Sequence, residues 1–262
     1  MPKNSEIYHR YGAGVHILDD TMAASGLVRL SNANTGQHEV RRLTAALYRE
    51  VLLRAIVNQV FQTSNVGTLT PMANVVGGRA MLRADIVDPS THVTIATLLR
   101  AGDVPASACL DRLSGVLEQG SVRQDFFGAG RTTNEEHRVT GTDVSYMKTG
   151  AIHDRILIIP DPMGATGGTV VQTLNLYGPE QIAMSKAIVA AHLIITPEYI
   201  RRVTAAYPQL QVFALRLDRG MSDSDVLDSV PGTFPDREFG LTDTQYIVPG
   251  AGDLGFRLTG IP

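Results

Sequence analysis

Asp161 stands at the end of an apolar run, Ile156 to Pro160, and is followed by Pro162, Met163 and a turn of small residues from Gly164 through Ala165, Thr166, Gly167 and Gly168 to Thr169. Proline lacks the ladder donor, so the chain cannot go on here as a central strand and must turn. Beyond the turn, Val170, Val171, Leu174 and Tyr177 fall on one face of a short helix. An acid at a strand end, glycines flanked by two threonine hydroxyls, then a helix start: this order exposes backbone N–H groups for a phosphate and places a carboxylate where open α/β sheets bind ligands. The loop holds no lysine and lacks the Gly-x-x-x-x-Gly-Lys-Ser/Thr pattern, which disfavours a P-loop nucleotidase, and no Gly-x-Gly-x-x-Gly dinucleotide signature is present. Glycine-rich turns also serve as plain connections, so this stretch alone marks an anion site and no more. His137, His153 and His192 show no ligand spacing, and Cys109 is the only cysteine, so neither a metal cluster nor an intrachain disulfide is expected.

The elements around this loop alternate. A mixed arm over residues 1–36 precedes a long amphipathic helix from His38 to about Gln62, with Val40, Leu43, Leu47, Leu53 and Ile56 at helical spacing. Val93 to Leu99 reads as a buried strand and residues 105–118 as a helix with Ser107 or Asp103 near its start. Residues 124–128 read as a strand and the polar stretch 131–143 as a loop. Strand 155–160, helix 168–177, strand 187–195, a helix opened by Thr196 and Pro197, and strand 210–215 follow. Apolar strands alternating with helices imply a doubly wound, mostly parallel α/β sheet. From Ser222 onward Asp, Gly and Pro imply irregular additions. The 262 residues suffice for one domain, divided as arm and long helix (1–66), core sheet (67–218) and C-terminal segment (219–262). A net charge of −3 gives no footprint for nucleic acid, and the absence of a signal core or spanning run implies a cytoplasmic protein.

Residues 161–169 resemble the 5-phosphoribosyl-1-diphosphate (PRPP) loop of uracil phosphoribosyltransferases, Asp-Pro-Met-Leu-Ala-Thr-Gly-Gly-Ser, in which Asp-Pro stands where most type I phosphoribosyltransferases have two acids. Tyr246 to Arg257 is similar to that family's tail Tyr-Ile-Val-Pro-Gly-Leu-Gly-Asp-Ala-Gly-Asp-Arg, and Leu98 to Gly102 to its Ile-Leu-Arg-Ala-Gly loop. Thr35, Arg41 and the Thr70-Pro71 pair also match family positions. The chain departs at Gly164 and Ala251, each in place of Leu, at Leu254 in place of Ala, and at Phe256 in place of an acid. The family's flap survives only as Gly130 to Asn134 with Arg131, and Arg123 or Arg138 are alternatives for its arginine.

The resemblance implies a divergent uracil phosphoribosyltransferase with a type I doubly wound sheet, an N-terminal helical arm and a C-terminal base-binding hood. It would transfer phosphoribose from PRPP to uracil, giving UMP and diphosphate in pyrimidine salvage. By the same resemblance the N–H groups of Ala165 to Thr169 hold the 5-phosphate, Asp161 reaches the ribose hydroxyls, Pro162, Met163, Gly164 and Asp253 also face PRPP, and Arg100, Ala101, Gly102 and Arg131 meet the diphosphate. Ile247, Gly252, Asp253 and Leu254 read uracil, and Asp253 and Arg131 are the catalytic candidates. Mg2+ is implied as cofactor, held mainly by PRPP and water, and so is a homodimer or larger assembly. Two alternatives stay open: a non-catalytic PRPP- or nucleotide-binding homologue, and a transferase for another base.

Overall fold

The computed structural model describes residues 5–133 and 139–261, with side chains described outside 129–145. In chain order a short strand β1 (Val15–Ile17) leads to helices α1 (Thr21–Ser31) and α2 (Gln37–Leu47), and α2 continues through a π-turn, Tyr48–Leu52, into α3 (Leu53–Val60). A hairpin of β2 (Thr63–Leu69) and β3 (Met81–Val87) carries the short helix α4 (Ala73–Val76) at its tip. The core then runs β4 (Val93–Leu99), α5 (Asp103–Ser114), β5 (Val122–Thr133), β6 (Val139–Lys148), β7 (Ile156–Pro160), β8 (Met163–Gly164), α6 (Gly168–Tyr177), α7 (Pro179–Met184), β9 (Ala187–Ile195), α8 (Pro197–Ala206) and β10 (Gln211–Leu217). Two short helices, α9 (Ser224–Leu227) and α10 (Leu254–Thr259), punctuate the C-terminal segment.

One sheet orders the strands β1-β10-β9-β7-β4-β5-β6, with β8 paired to β9. Every pairing in it is parallel except β5 with β6. Both faces are covered, which is why its central strands read as unbroken apolar runs. Along β7, Ile156 and Ile158 join the core beneath α1, α2, α3 and α5, while Leu157 and Ile159 join the one beneath α6, α7 and α8. This is the two-residue alternation of a strand.

Several expectations are corrected. The arm contributes an edge strand, β1, and a helix, α1, whose first turn is capped by the Asp20 carboxylate accepting from Ala23 N–H at 2.8 Å. Helix α5 begins two residues earlier than expected, at Asp103, and Gly102 before it supplies no side-chain cap. The stretch 131–143 is not loop throughout: β5 and β6 form an antiparallel hairpin with Arg131 in register with Thr142. The amphipathic face of α2 and α3 is spent on packing, with Val40, Leu43, Leu47, Leu52 and Ile56 in the core.

The root of the β5–β6 hairpin is tied to α6. Asp125, fully buried, accepts from Arg123 Nε at 2.8 Å and from the Tyr177 hydroxyl at 2.8 Å. Arg123 also donates to the Ala151 carbonyl at 3.0 Å, which commits it to this anchor. Cys109 lies in the core of α5, where burial pushes its thiol up to about 12. Among the described residues no helix is long and apolar enough to cross a membrane.

Candidate functional site

Strands β4 and β7 are neighbours, so their carboxyl ends open side by side. A β-carbon at Gly102 would stand 2.6 Å from the Leu98 carbonyl oxygen and 3.1 Å from that of Pro160, so only glycine allows the turn after β4 to lie this close to β7. The Leu99–Arg100 peptide in that turn is cis.

From β7 the chain enters the loop of small residues. The Ala165 N–H is used within the loop, donating to Met163 O at 3.1 Å, which removes it from the expected phosphate donors. Gly168 N–H makes only a long 3.4 Å contact to the Thr166 hydroxyl. The N–H groups of Thr166, Gly167, Thr169 and Val170 have no acceptor among the described residues. They converge at the N-terminus of α6, where the helix dipole also favours an anion.

The loop is seated on α8. Thr196 caps that helix, accepting from Tyr199 N–H at 3.0 Å while its hydroxyl donates to Ala165 O at 2.6 Å, and Pro197 occupies the first turn. Tyr199 therefore lies under the loop, its ring 4.6 Å from that of His192 on β9. Burial and the nearby Asp161 charge hold the Tyr199 phenol well above its usual range. Burial pulls the His192 imidazole down to about 4, so it is neutral at ordinary pH.

The third wall is the C-terminal segment. Arg216 and the buried Asp218, at the end of β10, grip Gly250 from both sides: Asp218 accepts its N–H at 2.8 Å and Arg216 donates to its carbonyl at 2.8 Å. Arg257 donates to Ala251 O and Leu30 O, both at 2.7 Å, fastening the segment to α1. Asp253 caps α10, accepting from Phe256 N–H at 3.0 Å. The Phe256 side chain projects into solvent, so its replacement of an acid leaves this cap intact. Ala251 and Leu254 are buried in the core.

These three walls enclose an open cleft of about 340 Å³. Arg100, Ala101, Asp161, Met163, Gly164, Ala165, Thr166, Gly167, Thr169, Ile247, Gly252, Asp253 and Leu254 line it. Gly102, Pro162 and Gly168 do not; they shape its turns. The Arg131 side chain and the whole of Arg138 lie outside the described residues. The sequence reading missed Tyr199, Gln245 and Val170, which also line the cleft. Asp161 and Asp253 are the carboxylates on its walls, and no group of three His, Cys, Asp or Glu able to hold a metal occurs among the described residues.

A mostly parallel sheet with a glycine-rich loop at the carboxyl end of a central strand, an arginine turn beside it and a C-terminal segment closing the cleft is the type I phosphoribosyltransferase architecture. The chain belongs to the uracil phosphoribosyltransferase family, whose sequence model matches residues 17–240. The AQ2163 protein from Aquifex aeolicus is similar in structure at 20% identity, over 94% of this chain and 98% of its own, with a TM-score of 0.70. A hypoxanthine phosphoribosyltransferase from Staphylococcus aureus aligns over 68% of this chain and 73% of its own, at 10% identity and a TM-score of 0.40. One from Trypanosoma cruzi, complexed with IMP, aligns over 74% and 84%, at 12% identity and a TM-score of 0.38.

Proposed function

We propose that this protein transfers the 5-phosphoribosyl group of PRPP to uracil, releasing diphosphate and forming UMP. One observation carries the reading: segments far apart in sequence, 98–101, 161–170 and 245–255, form the walls of a single cleft, and each bears one of the family's motifs. In this reading the free N–H groups of Thr166, Gly167 and Thr169, with the two threonine hydroxyls, take the 5-phosphate. Asp161 accepts from the ribose hydroxyls. Arg100, whose guanidinium donates to the Ile261 carbonyl at 2.6 Å, turns to the diphosphate with charge-assisted contacts, a role the family resemblance also assigns to Arg131.

Bond breaking at the anomeric carbon builds positive charge on the sugar and negative charge on the leaving group. The Asp161 and Asp253 carboxylates on the cleft walls favour the former, and the Arg100 guanidinium the latter. Asp161 and Asp253 offer hard carboxylate oxygens on the cleft walls, and a Mg2+ held there would be completed by substrate oxygens and water. Bound with the diphosphate, the ion would neutralise part of the leaving charge.

The family match ends at residue 240, ahead of Ile247 to Leu254, so the identity of the base rests on the tail motif alone. Backbone groups of that tail would reject a base with an amino group where uracil has a carbonyl, because a buried polar group would go unpaired. The test is PRPP-dependent nucleotide formation from uracil, cytosine, hypoxanthine, guanine and orotate. Product from uracil alone is expected. Product only from another base would shift the assignment to that base, and PRPP binding without turnover of any base would make the protein a binding homologue.

A homo-oligomer belongs to the same reading. The β2–β3 hairpin pairs with no other strand among the described residues and exposes Val66, Leu69, Val75, Met81, Leu82 and Ile86, an apolar surface that supports association. Sedimentation of the intact protein checks it: a monomer at micromolar concentration would remove this part.

A further inference from the structure

We propose that His192 and Tyr199 are positioning residues for the acid at the end of β7: Tyr199 holds the imidazole in its Nδ1–H form, that N–H holds the Asp161 carbonyl, and the Asp161 carboxylate is thereby presented to the ribose hydroxyls. The inference rests on the cleft being a PRPP site.

Hydrogen-bond chemistry fixes the direction of the chain. His192 Nδ1 lies 2.5 Å from the Asp161 carbonyl oxygen, which can only accept, so the proton resides on Nδ1. A neutral imidazole with its proton there leaves a lone pair on Nε2. The Tyr199 hydroxyl, 2.6 Å away, must therefore donate to it. Both side chains are fully buried, so no water competes for these bonds.

The rest of the Asp161 backbone is equally constrained. Its N–H donates to Ala191 O at 3.0 Å, and the same carbonyl takes the Tyr48 hydroxyl at 2.8 Å. Pro162, which has no N–H, accepts at its carbonyl from Leu193 and Ile194 at 3.1 and 3.2 Å. Both peptide units flanking the Asp161 α-carbon are thus pinned to β9, and the bond from His192 is the one supplied by a side chain of that strand. Loss of this bond frees the peptide whose orientation sets the carboxylate.

Three variants separate positioning from mere packing. Gln at position 192 sets its amide nitrogen near Nε2 and loses the donor to Asp161; Asn sets its nitrogen near Nδ1 and keeps it. Tyr199→Phe and His192→Gln should each raise the KM for PRPP about five- to tenfold, the scale of one hydrogen bond, while the KM for the base stays unchanged. His192→Asn should stay within about twofold of the parent protein. In the parent, 15N spectra of labelled histidine should show His192 as the neutral Nδ1–H tautomer from pH 5 to 8, a readout that needs no variant to fold. An unchanged KM for PRPP in folded Tyr199→Phe and His192→Gln, or an Nε2–H tautomer, would overturn the proposal and leave the proposed function standing. A parent protein that binds no PRPP would remove both.

Discussion

The ring of Tyr199 occupies the volume that a side chain at Gly164 would fill. A β-carbon on Gly164 would stand 3.0 Å from Tyr199 Cδ2 and 2.9 Å from Ile195 Cγ2. Gly164→Leu, which restores the residue of the family's loop, should therefore overpack the site and cost about 1–3 kcal/mol. In a Tyr199→Ala background the same change should cost less or stabilise. A double-mutant cycle by urea unfolding checks this, and additive costs would show that the two positions do not share this space.

His192 makes stability depend on pH in a defined direction. Its pKa is about 4 in the fold against 6.5 for the free group, so between these values the unfolded chain binds a proton that the folded one does not. This contribution is complete above about pH 6.5 and falls as pH drops toward 4, by about 3 kcal/mol in all. The imidazole is bonded between the Asp161 carbonyl and the Tyr199 hydroxyl. His192→Asn should flatten that part of the profile of the urea midpoint against pH; an unaltered slope would contradict the assignment.

Asp253 combines a cap with a charge, and the two can be separated. Asn caps helices as well as Asp, so Asp253→Asn should hold the melting temperature within a few degrees while lowering kcat/KM at least tenfold. Asp253→Ala should show the same kinetic loss plus about 1 kcal/mol of destabilisation from the lost bond to Phe256 N–H. Parent-like kinetics in Asp253→Asn would take the residue out of the site.

Glu238 is fully buried and accepts from Arg219 at 3.0 Å, from Gly232 N–H at 2.8 Å and from the Tyr11 hydroxyl. Its removal leaves the Arg219 guanidinium buried and unmatched, so Glu238→Ala should destabilise the fold by about 3–5 kcal/mol. A loss below 1 kcal/mol in chemical unfolding would mean that the network is solvated.

What the sequence disclosed follows from physical type. β4, β7, β9, the loop and α6 were legible because mostly apolar strands and one apolar helix face meet sharp Gly or Pro boundaries. β1 was not, since three residues carry no period, and α1 was blurred by Met22 and Val28 on its exposed face. β2 and β3 were hidden because they expose both faces and so show no alternation. Beyond Gly128, β5 and β6 pair through backbone groups, which a polar sequence does not announce. Tyr199 escaped notice because its partners come from β9 and the phosphate loop; the one trace of it was the missing side chain at Gly164.

The anchor at Asp125 gives α6 a second duty. Its ten residues span about 15 Å, with the glycine-rich loop at one end and Tyr177, bonded to the root of the β5–β6 hairpin, at the other. Loop and hairpin are therefore the two ends of one rod. The helix that offers its free N–H groups at one end is thus fastened, at its last residue, to the strand that runs on toward Arg131.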